Sequence, residues 1–183
     1  LLELHSLYGN LNTDQRNNAL MTEFPEINLP RRISPQDDGL PQVLDLLWRS
    51  FGFMDGRIDP PSSLHRLTLD RLATQEVWGI GSPVVACVVL TPREGCLYLG
   101  KLAVDTAFRG GGLARVLVDL AVARAQELQL PVVQLQTRVE LVENRAAFER
   151  MGFHVVRGEA HPGYDRVTSW VLERVVAPSK HIH

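Results

Sequence analysis

The chain has 183 residues, of which 45% are hydrophobic and 22% charged, with a formal net charge of -2. That is room for one domain with a substantial core, and an ordinary soluble composition. The near-neutral balance excludes nucleic acid as the main partner, because phosphate-backbone binders carry a basic excess.

No apolar run approaches the roughly 20 residues of a membrane span, and nothing reads as a signal peptide. The first residue is Leu1 rather than Met, so a preceding targeting segment stays open. Two cysteines, Cys87 and Cys96, make no disulfide framework, and the expected hairpin register does not place them opposite each other. The expected setting is reducing and cytoplasmic.

In chain order, residues 1–26 mix Asn, Gln, Thr and Leu without a period and read as an N-terminal arm. A domain is expected over 27–176, and a tail over 177–183. Ile27–Ile33 is predicted as a first strand. Ser34-Pro35 then offers a capping hydroxyl and a first-turn proline for a helix to about Ser50. Val43, Leu44, Leu46, Leu47 and Phe51 recur along it at helical spacing. Two glycines and two prolines between Gly52 and Pro61 break it, and a second helix is predicted over Ser62–Thr74.

From Glu76 the period changes. Strands are predicted over Val77–Ile80, Val84–Leu90 and Cys96–Val104, the last two joined by a turn over Pro92–Gly95. The next helix carries Leu113, Val116, Leu117, Leu120, Ala121 and Leu128 on one face and ends at Pro131. A strand over Val132–Thr137 follows, then a helix over Glu143–Met151 closed by Gly152. Phe153–Val156 is a strand, Gly158–Arg166 a loop, and Val167–Val176 the last strand. This order predicts an α+β fold: a mostly antiparallel central sheet with one central β-α-β crossover and helices on both faces.

The stretch with most chemistry joins the Cys96–Val104 strand to the long helix through Gly110, Gly111 and Gly112, with Arg109 at its entrance. Glycines accept positive φ and leave the backbone bare. The amides that open a helix have no partner within it and lie at its positive end. Strand, glycine turn and helix start therefore cradle an anion, most often a phosphate; a glycine-rich loop without a ligand is the alternative. A dinucleotide fingerprint would need glycine where Arg115 stands, and no Gly-Lys-Ser/Thr triplet marks a P-loop.

The pattern Arg109-x-x-Gly112-x-Ala114, with Leu102-Ala103-Val104 upstream, resembles the pyrophosphate loop of the GNAT superfamily of acyl-CoA-dependent N-acetyltransferases. A second stretch, Asn144-Arg-Ala-Ala-Phe148-Glu-Arg-Met-Gly152-Phe153, looks like that family's penultimate helix and its ending. The predicted element order is also that of the GNAT fold.

The resemblance implies that the strand through Leu102, Ala103 and Val104 splays from the Val132–Thr137 strand. The pantetheine arm would enter the gap, and amides near Leu102 and Val104 would polarise the thioester carbonyl. Gly110, Gly111, Gly112, Leu113 and Ala114, with Arg109, would hold the pyrophosphate. Asn144 would touch the cofactor or cap its own helix, and Phe148 would flank the cofactor.

The family's usual proton donor is a tyrosine at the position of Phe148, which has none to give. Tyr164 and His161, in the Gly158–Arg166 loop, are the candidate replacements; a rim aromatic and a solvated loop histidine are the alternatives. Trp48, Phe51, Phe53 and Met54 would wall an acceptor pocket or belong to the core, and Asp55 and Asp59 would attract an ammonium or form turns. The six scattered histidines offer no metal site.

The implied activity is acetyl transfer from acetyl-CoA to a primary amine of a small molecule or peptide. The alternative is a non-catalytic acyl-CoA-binding regulatory module. The amine acceptor and a second copy of the chain, as a homodimer, are the expected partners, with no nucleic acid and no membrane.

Overall fold

The computed structural model describes residues 29–54 and 56–177. The arm, the start of the predicted first strand and the tail beyond Ala177 lie outside them. Among the described residues seven strands form one sheet in the order β1-β2-β3-β4-β5-β7-β6. These are β1 (Arg31–Ile33), β2 (Glu76–Ile80), β3 (Ala86–Arg93), β4 (Cys96–Val104), β5 (Val132–Arg138), β6 (His154–Glu159) and β7 (Ser169–Val175). All neighbours are antiparallel except β4 and β5, which the crossover helix joins in parallel. The α+β architecture expected from the element order is the one found.

Among the described residues four α-helices cover the sheet: α1 (Gly39–Phe51), α2 (Leu69–Ala73), α3 (Leu113–Glu127) and α4 (Val142–Arg150). Leu40, Val43, Leu46 and Leu47 of α1 pack with Val77, Cys87, Val89 and Ala103 on one face. Leu113, Leu117, Val118, Ala121 and Ala125 of α3 pack with Val88, Leu97, Leu135 and Leu172 on the other. Val118 and Ala125 take the buried positions, while Leu128, expected on the apolar face, is the exposed C-cap.

Several expected boundaries move. The helix predicted from Ser34 begins at Gly39, because Asp37 organises the turn before it. Asp37 accepts from the Gly39 amide at 2.7 Å and is gripped by Arg31 at 2.5 Å, while its own amide donates to Ser34. The helix predicted over Ser62–Thr74 is two pieces, a 3₁₀ turn at Ser63–Arg66 and α2. The side chains of Ser62 and Thr68 each accept from an amide two or three residues on, so each starts a separate turn.

In the β3–β4 hairpin Pro92 and Arg93 pair with Leu97 and Cys96, leaving Glu94-Gly95 as the turn. Pro92 is tolerated because β2 has already ended opposite Leu90, so no partner needs its missing N–H. Cys87 lies opposite Ala103, Cys96 opposite Arg93, and both thiols are free and buried. Strand β6 runs on to Glu159, into the predicted loop, because Gly158 and Glu159 find partners in Trp170 and Ser169.

One clamp ties the open half of the sheet to the crossover helix. The Glu76 carboxylate, whose side chain is 9% exposed, accepts from Arg124 Nε at 2.7 Å and from Trp78 Nε1 at 2.9 Å. Burial pushes the Glu76 carboxyl up, but the bonds from Arg124 and Trp78 outweigh it and hold it below its ordinary value. A depressed folded-state pKa means stabilisation present above the unfolded value and lost as pH falls through the folded one. Glu76→Gln is expected to lower stability by about 2 kcal/mol at neutral pH, since it leaves the Arg124 guanidinium half-partnered. Urea melts of both proteins should converge as pH falls below roughly 4, within the carboxylate range; a gap independent of pH would show that packing, not charge, is lost.

Candidate active site

Strands β4 and β5 pair only at Leu97↔Val133 and Tyr98↔Gln134. Beyond that they part, although β4 continues to Val104 and β5 to Arg138. Gly100 is an extra residue in β4, standing between the pairs Leu90↔Leu99 and Val89↔Lys101. Such a bulge bends its strand and increases the local twist.

The Asp105 amide donates to the Val85 carbonyl at 2.8 Å, so the backbone at Asp105 turns toward β3. Hydrogen-bonding direction alternates along a strand, so Ala103 also turns toward β3. Leu102 and Val104 turn their N–H and C=O groups the other way, into the gap. A length of strand edge is thus left without a backbone partner inside the sheet, and the Leu102 and Val104 side chains pack on the α3 core.

The glycine turn opens beside that edge. Asp105 accepts from the Ala107 amide at 3.0 Å and from Arg49 at 2.9 Å, which sets the 3₁₀ turn over Thr106–Phe108. The Ala107 amide, helped by Arg49, holds the Asp105 carboxyl below its usual range although burial pushes it up. Arg109 folds back to donate Nε to the Val104 carbonyl at 3.3 Å.

Gly110 and Gly112 have φ of 84° and 81°, and a Cβ on either would meet nothing within 4 Å. Gly112 is the N-cap of α3 and offers no side chain to the first-turn amides. Leu113 is 2% exposed and pins the helix start into the core, while Ala114 turns to the gap. Bare amides, open space and the helix N-terminus suit a pyrophosphate.

A cavity of about 300 Å³ fills the gap. Leu102, Ala114, Asn144, Phe148 and Met151 form one side of it, and Phe51, Met54, Ser63 and Leu64 the other. Lys101, Thr137 and Arg138 also reach it. Phe148 meets Phe153 edge to face at 5.7 Å. Asn144 lies inside α4, whose N-cap is Leu141, so it does not cap the helix as one expectation had it. Phe51 and Met54 wall the cavity; Trp48 and Phe53, 49% and 42% exposed, do not. Asp55 lies outside the described residues.

Tyr164 and His161 do not line the cavity. The Tyr164 hydroxyl donates to Asp59 Oδ1 at 2.5 Å, and that bond raises its pKa. Asp59 also accepts from Arg166 at 2.8 Å, so its carboxylate is committed to the loop. Arg138 donates to His161 Nε2 at 3.0 Å, which fixes the proton on Nδ1, facing Thr168 Oγ1 at 2.6 Å. Burial, then the Arg138 charge, pushes the His161 pKa down, and the ring is neutral.

Arg138 is therefore the member of this group that reaches the cavity, held by His161 and by the Pro60 carbonyl at 2.5 Å. Neither Arg138 nor Lys101 figured in the sequence reading. The period-2 alternation of β5 could have pointed to Arg138, and the scarcity of lysine to Lys101.

The family model described as acetyltransferase (GNAT) family matches residues 40–153. A stretch of 56 residues is 38% identical to N-alpha-acetyltransferase 30 of Saccharomyces cerevisiae. That match covers 31% of this chain and 32% of the yeast protein, so the chain spans about a third of the length of this curated relative. The solved PaiA N-acetyltransferase from Thermoplasma acidophilum, in complex with coenzyme A, superposes with a TM-score of 0.64 at 12% identity over 80% of this chain and 98% of that one. Ard1 from Thermoplasma volcanium gives a TM-score of 0.61 at 20% identity over 81% and 97%. At such identities the likeness is one of fold. With the family model spanning more than half of its residues, the chain belongs to the GNAT family of acyl-CoA-dependent acetyltransferases.

Proposed function

We propose that the protein transfers an acetyl group from acetyl-CoA to a primary amine of a small molecule or peptide. The strand edge at Leu102 and Val104, without a backbone partner and opening beside the glycine turn, carries this reading. The yeast relative is named an N-alpha-acetyltransferase, which makes a peptide α-amine the first acceptor to test.

In this reading Gly110, Gly111, Gly112, Leu113 and Ala114 offer backbone amides to the pyrophosphate, and Arg109 adds charge at the entrance. Leu102 and Val104 pair with the pantetheine arm as a further strand, and Asn144 and Phe148 flank it. Acetyl-CoA supplies the activated acyl group. Amides turned into the gap stabilise charge growing on the carbonyl oxygen, in a site where Phe51, Met54 and Leu64 exclude water. His161 holds Arg138 at the cavity wall, and Tyr164 holds Asp59 beside it.

A second reading, a non-catalytic acyl-CoA-binding module, is favoured by one observation: Phe148, which has no proton to donate, faces the cavity. Calorimetric titration with acetyl-CoA, followed by thiol release with peptides and small amines, separates the two. Binding with release supports transfer; binding without release across the panel supports the module.

Gly112→Asp is expected to weaken acetyl-CoA binding at least 10-fold, by placing a carboxylate where the cradle is open and straining a positive φ. Gly95→Asp, at a remote turn with φ of 74°, carries the same strain and should bind normally. Equal affinities in both variants would remove the pyrophosphate assignment. Tyr164→Phe should keep thiol release within about 3-fold, since its hydroxyl is committed to Asp59. A loss on the order of 100-fold would instead make Tyr164 the proton donor.

A further inference from the structure

The chain contains seventeen arginines and two lysines, Lys101 and Lys180. Lys101 is thus the one lysine among the described residues, and it stands in the wall of the candidate active site. The bulge at Gly100 puts it there. Leu97 and Leu99 point into the core beneath α3, whereas Ala103 points into the core beneath α1. In an unbroken strand those odd-numbered residues would share one face. The extra residue reverses the alternation, so Lys101 follows Ala103 to the α1 side rather than entering the α3 core.

On that side Lys101 separates the cavity from a second depression lined by Ser63, Leu67, Arg71, Thr74 and Gln75. Its side chain is half-buried, and no hydrogen-bond or ion-pair partner meets its Nζ among the described residues. The charged groups sharing these walls are Arg71 from α2 and Arg138 from β5; no described carboxylate lines either hollow. Burial accordingly pushes the Lys101 pKa down, and nothing opposes it. An arginine here would stay protonated, whereas a lysine can give up a proton and take it back.

Resting on the transferase reading, we infer that Lys101 is the proton carrier of the transfer, taking the place of the hydroxyl that Phe148 lacks. The acceptor enters as a neutral amine, since no carboxylate stands among the described residues that line the cavity. As the nitrogen forms its bond to the acetyl carbon, it gives up one proton to the neutral Lys101 Nζ. The carbon–sulfur bond breaks, and the Lys101 ammonium returns that proton to the sulfur. Amine and thioester become amide and thiol, and Lys101 ends neutral.

The test combines a titration with a rate profile. With only two lysines, the side-chain NMR signal of Lys101 in isotopically labelled protein is assigned by its absence in Lys101→Arg. Its midpoint is expected clearly below the ordinary lysine value of roughly 10.4. Wild-type thiol release should rise with pH and level off at that same midpoint. Lys101→Met and Lys101→Arg should both lose on the order of 100-fold in kcat, with acetyl-CoA affinity unchanged by calorimetry.

Near-normal release by the arginine variant would overturn the proposal, because a permanent charge would then suffice. An ordinary NMR midpoint, or stoichiometric acetylation of Lys101 itself, would overturn it as well. A wild type that binds acetyl-CoA but releases no thiol with any amine overturns the transferase reading, a result distinct from a defect confined to the variants.

Discussion

The structure depends on a place where pairing stops. A backbone amide or carbonyl buried without a partner is costly, so sheets normally pair through their centre. Here the parallel ladder between β4 and β5 lasts two residue pairs and then opens, between two packed faces. The unpaired edge is tolerable because the gap is a cavity rather than close-packed core, and because Arg109 meets the Val104 carbonyl. An extended chain carrying its own donors and acceptors could pair with it, which is the role proposed above for the pantetheine arm.

Around this opening each neighbour has a definite task. The crossover puts the start of α3 at the mouth of the gap, which is where the parallel connection must return after β4. Leu113 and Leu117 anchor that helix, so the glycine turn can stay open without the helix start drifting. Arg124, farther along α3, grips Glu76 of β2, and this links the antiparallel half of the sheet to the helix that follows the glycine turn. On the far side α4 contributes Asn144 and Phe148, with Phe148 braced against Phe153.

Local chemistry made much of this legible in the sequence. A run of three glycines between an apolar strand and an amphipathic helix marks a turn with bare amides, and Gly110 and Gly112 do take positive φ. The face of α3 and the alternation of β5 follow from spacing alone. What escaped depended on longer reach. Nothing near Ser34 reveals that Asp37, gripped by Arg31, displaces the helix start. Gly100 inside an apolar strand looks unremarkable, yet the register around it decides which way Lys101 points. The partners of Tyr164 and His161 lie far away in sequence, at Asp59 and Arg138, so their commitment to those groups has no local trace.

The preponderance of arginine over lysine has a consequence for a member of a family that uses a reactive thioester. Lysine amines on protein surfaces are slowly acylated by such compounds without any catalyst, whereas a guanidinium holds its proton and is a poor nucleophile. The surface cations of the described residues, among them Arg31, Arg49, Arg57 and Arg157, keep their ion pairs in the presence of the acyl donor. Charge is thus placed on the surface in a chemically inert form, and the protein's own electrostatics do not erode as the donor accumulates.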